Sequence, residues 1–172
     1  LDLIYGTPIL DLDDILPRPL DRPASAPTAD QILDKYIQAL GGAARLASLT
    51  SFVAKGAVVG YGGFRAGDVQ IFAKAPDQRA TFFHTPDAGD LTRKFDGRGG
   101  SISTPLTTVK EFPLYGNELA GARLDAQMSF PGQLKGVLTN WRVGSSTSLD
   151  GRPVEVVQAP GVTGVRGLFA TF

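Results

Sequence analysis

His84 is the side chain of this sequence that best suits acid–base or nucleophilic catalysis. Asp87 and Asp90 follow it closely, and Ser101 and Ser103 come after the next predicted turn. These residue types could supply a Ser–His–Asp triad, whose three groups must stand in one hydrogen-bonded line. No serine lies in the Gly-x-Ser-x-Gly turn that presents the nucleophile of many hydrolases. We therefore predict that His84 lies at the polar end of a strand and that the chain has no catalytic residues.

Two further segments carry groups that could bind a metal ion or a phosphate. Asp11–Asp14 has carboxylates but lacks the glycine and the distal glutamate of a calcium-binding loop. Asp96–Gly100 has the glycines of a phosphate-binding loop, but no Lys-Ser/Thr pair follows, and a hairpin turn explains its Asp-Gly pair. The glutamates are scattered and form no catalytic pair. We predict no metal site and no cofactor.

The composition excludes several other classes of function. The 172 residues include no cysteine and one histidine, which excludes disulfides, thiolate zinc sites, iron–sulfur clusters and c-type haem attachment. Seventeen Lys and Arg residues balance seventeen Asp and Glu residues, whereas nucleic-acid-binding domains normally carry a basic excess. No apolar run reaches the roughly 18 residues that a transmembrane helix needs. We therefore expect no nucleic acid partner and no transmembrane segment.

Residues 1–27 differ from the rest of the chain. They hold five of the twelve prolines and carry a net charge of −3, from five aspartates and two arginines. A disordered leader is one interpretation, although such segments are normally poor in Ile, Leu and Tyr. The alternative is an extended Pro-rich linker that carries an acidic, apolar tail, residues 1–16, which binds a protein partner or mediates self-association. The tail residues expected to make that contact are Leu3, Ile4, Tyr5, Ile9, Leu10, Leu12 and Ile15.

Residues 28–172 predict one α+β domain. Thr28 and Gln31 match a helix capping box, the following apolar residues recur at helical spacing, and Gly41 ends the helix. A second short helix over 43–49 precedes a meander of antiparallel strands, and two short helices joined at Pro131 interrupt that meander. The predicted strands cover residues 51–59, 68–74, 78–84, 91–95, 101–104, 141–148, 154–159 and 162–172. Helices then cover one face of an antiparallel sheet.

Aromatic residues along these strands define a second candidate site. Phe72, Phe82 and Phe83 cannot all face the same side of a sheet, because side chains alternate along a strand. Core packing is one interpretation, and a concave sheet that holds a lipid or acyl chain under the first helix is the other. The residues of this candidate ligand face are Ile32, Tyr36, Leu40, Phe72, Phe82 and Trp141.

Several segments resemble a known domain family. The helix segment Thr28–Gly42 is the most specific, and Val53–Gly56, Ala73–Pro76 and Phe95–Gly97 are shorter motifs. Together they resemble the lipoprotein-carrier-like (LolA-like) domain of acidobacterial envelope proteins, which often follows reaction-centre-type cytochrome c subunits through a Pro/Ala linker. The resemblance implies a curved antiparallel half-barrel sheet covered by helices on one face. It also implies an extracytoplasmic location, in the periplasm or at the cell surface, and a non-catalytic role.

The sequence departs from that family in three places. It has no haem-bearing part, a glycine pair stands where related domains tend to place a Trp after Phe95–Gly97, and it stops at Phe172, where they continue with a hairpin. We therefore expect an open sheet edge and, because the chain opens at Leu1, a processed or incomplete product. The expected function is that of an assembly subunit of a cell-envelope complex whose tail docks onto a neighbouring subunit. A multihaem cytochrome is a candidate partner, and a carrier of a hydrophobic ligand is the alternative function.

Overall fold

A computed structural model describes residues 23–59, 65–86, 89–105, 108–144, 147–149, 151–162 and 165–171. The helices are α1 (Ala29–Ala39), α2 (Ala43–Ser48), α3 (Gly116–Met128) and α4 (Leu134–Val137), with a 3-10 turn at Pro131–Gln133. The first six strands are β1 (Ser51–Val59), β2 (Arg65–Lys74), β3 (Gln78–Thr85), β4 (Gly89–Phe95), β5 (Gly100–Ser103) and β6 (Phe112–Pro113). The others are β7 (Arg142–Val143), β8 (Thr147–Leu149), β9 (Arg152–Val154), β10 (Val157–Val162) and β11 (Val165–Thr171).

These elements form an α+β structure that divides into two compact units. The sheet unit, Ile37–Val137, holds an antiparallel sheet of six strands in the order β1-β2-β3-β4-β5-β6. The sheet is not closed, so β1 and β6 are its edge strands among the described residues. The terminal unit contains the described residues up to Tyr36 and from Leu138 onward. It holds a three-stranded sheet in the order β11-β10-β7 and the two-stranded hairpin β8-β9.

Helix α1 begins at the predicted capping box. The Thr28 backbone N–H donates to Gln31 Oε1 at 2.9 Å, and the Gln31 N–H donates to Thr28 Oγ1 at 3.3 Å. These two bonds satisfy amide groups that have no acceptor within the first turn of a helix. Gly41 has a positive φ of 108°, a conformation that ends helices because glycine adopts it without a Cβ clash. The predicted helix and its end are therefore confirmed.

The six-stranded sheet follows from hairpins between neighbouring strands. β4 turns into β5 at Asp96-Gly97, where Gly97 has a positive φ of 96°. On β2 Ala73 is buried and its neighbour Phe72 is exposed, as the alternating pattern predicted. The strand starts differ from the prediction by up to three residues, which is the usual uncertainty at the end of an element. β6 was not predicted, because it is a two-residue edge strand that contains Pro113.

Each unit has its own apolar core. In the terminal unit the buried residues Ala29, Leu33, Val143 and Val157 pack together, with Ile32 and Trp141 against them. In the sheet unit the buried residues Phe95, Leu114, Ala122 and Ala126 pack together, with Ile102 and Leu119 against them. Both cores join a helix to strands, which buries the apolar side of each.

Two predictions about the last third of the chain were wrong. The expected strand over 141–148 is two strands, and Val154 and Val157 belong to different strands rather than to one. Strand β9 ends at Val154 because it pairs with β8, whereas β10 pairs with β7 and β11. Tyr36 of α1 and Leu40, just after its end, continue the helical spacing of apolar residues but are exposed, since the apolar stripe of an amphipathic helix is wider than the contact it makes here.

Candidate functional site

The two faces of the six-stranded sheet have different environments. Helix α3 packs against β3, β4 and β5 on one side, which we call the helix face. Phe95 and Ile102 point to this side, where they belong to one apolar cluster with Ala122 and Ala126 of the helix. Residues in register across antiparallel strands share a face, so the intervening residues point to the opposite side, which we call the open face. The open face carries the candidate site.

Arginines hold α3 on the helix face. Arg79 Nη1 donates to the Asp125 carbonyl oxygen at 3.2 Å and to Ser129 Oγ at 2.9 Å, and its Nε donates to Thr81 Oγ1 at 3.1 Å. Arg93 Nη1 donates to Asp125 Oδ2 at 3.2 Å. Burial lowers the pKa of the Arg79 guanidinium; the Asp125 carboxylate opposes that shift and Arg93 adds to it. These bonds fix the helix on one side of the sheet.

Apolar side chains are exposed together on the open face. Val53 of β1 is 56% exposed, Phe72 of β2 is 41% exposed and Phe82 of β3 is 39% exposed. Val53 and Phe72 are register partners. The rings of Phe72 and Phe82 pack edge to face, with centroids 5.6 Å apart and an interplanar angle of 85°. Contiguous exposed apolar side chains of this kind are typical of interaction sites.

A groove of about 510 Å³ opens beside this cluster, within the range of small-molecule and peptide pockets. It runs over β1 to β4 toward the turns at the end of the sheet. We call it the Phe72 groove. Its lining residues are Ser51, Phe52, Val53, Phe72, Ala73, Lys74, Gln78, Arg79, Ala80, Lys94, Phe95 and Asp96.

Lysines frame the Phe72 groove. Lys74 and Lys94 line it, and Lys55 follows Val53 by two residues on the same face of β1. Lys94 Nζ lies 3.9 Å from Glu111 Oε1, a long contact between exposed groups. Within the part of the chain that the structure describes, Lys55 and Lys74 form no ion pair with a carboxylate. The groove therefore combines apolar surface with a positive rim.

The acidic residue of the groove is committed to its own turn. The backbone N–H groups of Gly99 and Arg98 each donate to Asp96 Oδ1 at 2.8 Å. These bonds lower the pKa of the Asp96 carboxyl, and the Gly99 bond contributes most. The Asp96 side chain is therefore an ionised carboxylate whose hydrogen bonds are made within the β4–β5 turn.

The other end of the open face carries a histidine and two aspartates among the described residues. His84 Nδ1 and Asp90 Oδ1 form a close hydrogen-bonded pair, and Asp68 is the register partner of His84 on β2. Both members of the pair are exposed, which confirms His84 as a polar residue near the end of a strand. Ser101 instead donates to Glu111 Oε1 at 2.6 Å, and Ser103 faces Thr92. Among the described residues no group of three His, Asp or Glu side chains is arranged to hold a metal ion.

The structure brings together only some of the residues of the predicted ligand face. Phe72 and Phe82 are in contact on the open face, as described. Ile32 and Trp141 pack in the core of the terminal unit, where Trp141 Nε1 donates to the Leu138 carbonyl at 3.0 Å. Tyr36 is exposed on α1, and Leu40 is exposed just after it. Phe83 points to the face opposite Phe82, as predicted from their succession on β3.

Sequence reasoning overlooked the lysines of the groove. Lys55 and Lys74 each stand two residues from an apolar residue of the open face, Val53 and Phe72, so strand alternation alone could have placed them there. The predicted tail contacts at residues 1–16, the carboxylates of Asp11–Asp14 and Asp87 all lie outside the described residues.

Comparison with known proteins yields no assignment: no family model matches the chain, and neither a curated protein nor a solved structure matches it. Across the described residues, no helix has the length and apolar character needed to cross a membrane.

Proposed function

We propose that the protein is a non-catalytic binding and assembly module, an extracytoplasmic subunit of a cell-envelope or cell-surface complex. In this proposal its N-terminal tail docks onto a neighbouring subunit. The observation that carries the proposal is the open face: Val53, Phe72 and Phe82 are exposed together beside a groove with a lysine rim. Exposed apolar clusters rimmed by polar groups are typical of protein-binding surfaces.

The arrangement of polar groups supports binding rather than chemistry. His84 pairs with Asp90, whereas the hydroxyl of Ser101 donates to Glu111. Ser101 and Ser103 face Lys94 and Thr92 across the β4–β5 pair, so neither serine is a register partner of His84. A triad needs its three groups in one hydrogen-bonded line. The proposal therefore assigns His84 no reaction.

Sheet edges offer a second means of assembly. β1 has nine residues and is an edge strand among the described residues. β11, the last strand, is an edge of the three-stranded sheet in the same sense. Long edge strands present unpaired backbone groups that can accept a strand from another chain. The two edge strands support the proposed association of subunits. In this proposal the six-stranded sheet is the half-barrel of a lipoprotein-carrier-like domain.

Deletion of residues 1–16 from the otherwise full chain tests the proposal. We expect the deletion to abolish self-association or partner binding, seen as a later elution volume and a smaller mass by light scattering in gel filtration. A second variant keeps the length and charge of the tail but replaces Leu3, Leu10 and Leu12 by Ser. If the tail binds its partner through apolar side chains, we expect this variant to behave like the deletion. An elution volume that the deletion leaves unchanged would falsify the proposal.

A carrier of a hydrophobic ligand is the second candidate function. The observation that favours it is the 510 Å³ volume of the Phe72 groove, which is large enough for part of an acyl chain. Lipid extraction and native mass spectrometry of the purified protein test this function. We expect a bound lipid that is lost when Phe72 is replaced by Ser and kept when the exposed Val109 is replaced by Ser. Consistent absence of lipid from the native protein contradicts the carrier function.

A further inference from the structure

The proposed function leaves open which surface receives the tail, and this inference rests on that function. We propose that the Phe72 groove of one copy binds residues 9–16 of a second copy. The segment has the sequence Ile-Leu-Asp-Leu-Asp-Asp-Ile-Leu, and the groove has apolar walls and a lysine rim.

The apolar part of the groove fits leucines of an extended segment. Val53 and Phe72 are neighbours across β1 and β2, and the Phe82 ring contacts Phe72, so their exposed surfaces are continuous. In an extended chain, residues two apart point to the same side. Leu10 and Leu12 can therefore both face the groove, and their burial removes apolar surface from water on both partners.

Three lysines surround the position where those leucines would bind. Lys74 follows Phe72 by two residues on β2, about 7 Å along the strand. Lys55 lies diagonally from Phe72, two residues beyond its partner Val53, at a typical distance of about 7 to 8 Å. Lys94 lies two strands away in the same row as Phe72, roughly 10 Å across the sheet. From all three positions, a lysine side chain is long enough to approach a segment that lies on Phe72.

The segment carries the complementary charge. Residues 9–16 contain three aspartates and no basic residue. In an extended segment Asp14 shares the side of Leu10 and Leu12, whereas Asp11 and Asp13 point to the other side and attract the lysines over a longer distance.

Three carboxylates already lie at this end of the sheet: Asp96, which its own turn binds; Asp77, in the β2–β3 turn beside Gly97; and Glu111, at 3.9 Å from Lys94. The hydrogen-bonded pair of His84 and Asp90 lies at the far end of the open face with Asp68, which is about 20 Å from Lys74 along β2. The lysines therefore attract an acidic segment to the groove end.

The choice of a second copy follows from the proposed function, in which the tail docks onto a neighbouring subunit. Residues 23–26 of the linker form a turn, in which the Ala26 N–H donates to the Pro23 carbonyl oxygen at 2.8 Å. The dependence of association on concentration distinguishes a second copy from the groove of the same chain. Because the groove and the tail are different surfaces, the contact is heterologous and can be repeated from copy to copy.

Fluorescence anisotropy of a labelled peptide of residues 1–16, titrated with the full chain, measures the contact directly. We expect the double change Lys55→Glu and Lys74→Glu to raise the Kd roughly tenfold, because two ion pairs are lost and repulsion replaces them. Both lysines are exposed, so the fold should survive. The matched control is Lys35→Glu, the same charge change at an exposed lysine of α1 that does not line the groove.

Two further arms make the test specific. A peptide in which Asp11, Asp13 and Asp14 are changed to Lys should bind the chain that carries Lys55→Glu and Lys74→Glu more tightly than it binds the native chain. Phe72→Ser should weaken binding of the native peptide at least tenfold while circular dichroism stays unchanged. In gel filtration with light scattering, the native chain should associate more as its concentration rises, and the double lysine variant should remain smaller.

The failures of this inference and of the proposed function are distinguishable. If the deletion of residues 1–16 abolishes association but the peptide binds native and charge-reversed chains equally, the tail docks elsewhere and this inference is wrong. If the peptide binds the groove but the native chain is a monomer at every concentration, the tail returns to its own groove and the second copy is wrong. If the deletion changes nothing, both proposals are wrong.

Discussion

Replacement of Arg79 by Met tests whether the arginine stabilises the packing of α3 on the sheet or only tolerates burial there. Its guanidinium donates three hydrogen bonds, and two of them join β3 to Asp125 of α3 and to Ser129, which follows the helix. A hydrogen bond contributes about 1 kcal/mol net, and more when one partner is charged. Burial opposes this gain, since it lowers the pKa of Arg79 and therefore disfavours the charged form.

The balance can be estimated from what the substitution leaves behind. The Asp125 carbonyl keeps a hydrogen bond from Ser129 Oγ at 2.9 Å, so loss of Arg79 does not leave it without a donor. Methionine keeps much of the apolar stem that packs under the helix. We therefore expect Arg79→Met to lower the free energy of unfolding by about 2 kcal/mol, from two lost bonds between elements. The more exposed Arg93, changed to Met, should cost about 1 kcal/mol or less.

Urea unfolding followed by far-ultraviolet circular dichroism measures both changes. A double-mutant cycle of Arg79→Met with Ser129→Ala should show a coupling of about 0.5 kcal/mol or more, because the two side chains share a 2.9 Å hydrogen bond. An unchanged or higher stability for Arg79→Met would show that desolvation outweighs the hydrogen bonds. That result would refute our account of how the helix face is covered.

Three other substitutions test single features of the fold by the same unfolding measurement. Asp96→Asn should lower stability at pH 7. The pKa of Asp96 is lowered in the native state, so the ionised carboxylate stabilises the fold above the ordinary carboxyl pKa, and this stabilisation disappears as the pH falls through the native pKa. If Asp96→Asn lowers stability equally at neutral and at strongly acidic pH, this account is wrong. Thr28→Ala should cost about 1 kcal/mol through loss of the helix cap, and Thr28→Ser should restore it, whereas equal stabilities of all three chains would argue against the cap. Leu134→Ala should cost about 3 kcal/mol because the side chain is fully buried, while Val109→Ala, at an exposed site, should cost less than about 0.5 kcal/mol; similar losses at both sites would contradict the burial pattern.

Local features of the fold could be predicted from the sequence. The capping box at Thr28, the turn at Asp96-Gly97 and the alternation along β2 depend on residues close together in the chain, and the structure has each of them. The break between β9 and β10 could not be predicted, because Val154 and Val157 have similar strand propensity. The two strands are separate because β9 pairs with β8 whereas β10 pairs with β7, and such pairing depends on residues outside the local segment.

The candidate site was only partly predictable for the same reason. Phe72 and Phe82 were expected to share an apolar surface, and their rings are in contact. The sequence also placed Ile32 and Trp141 on that surface, but both pack in the core of the terminal unit. Helical or strand periodicity identifies the apolar positions of an element, yet it does not say which other element covers them.

Residues close together in the chain were sufficient to predict the capping box of α1, the turn at Asp96-Gly97 and the two different faces of the sheet, and the composition excludes the chemistry of cysteine. Which face α3 covers depends instead on packing between elements that are distant in sequence. Alanines at 122 and 126 let the helix approach the side that carries Phe95, so the charged Arg79 lies under the helix while the apolar Phe72 stays exposed. Strand alternation places Arg79 and Phe72 on opposite faces of the sheet, but it contains no information on which of the two faces a helix covers. Register then brought Lys55, Lys74 and Lys94 around Phe72, since strand pairing alone sets which distant residues share a face.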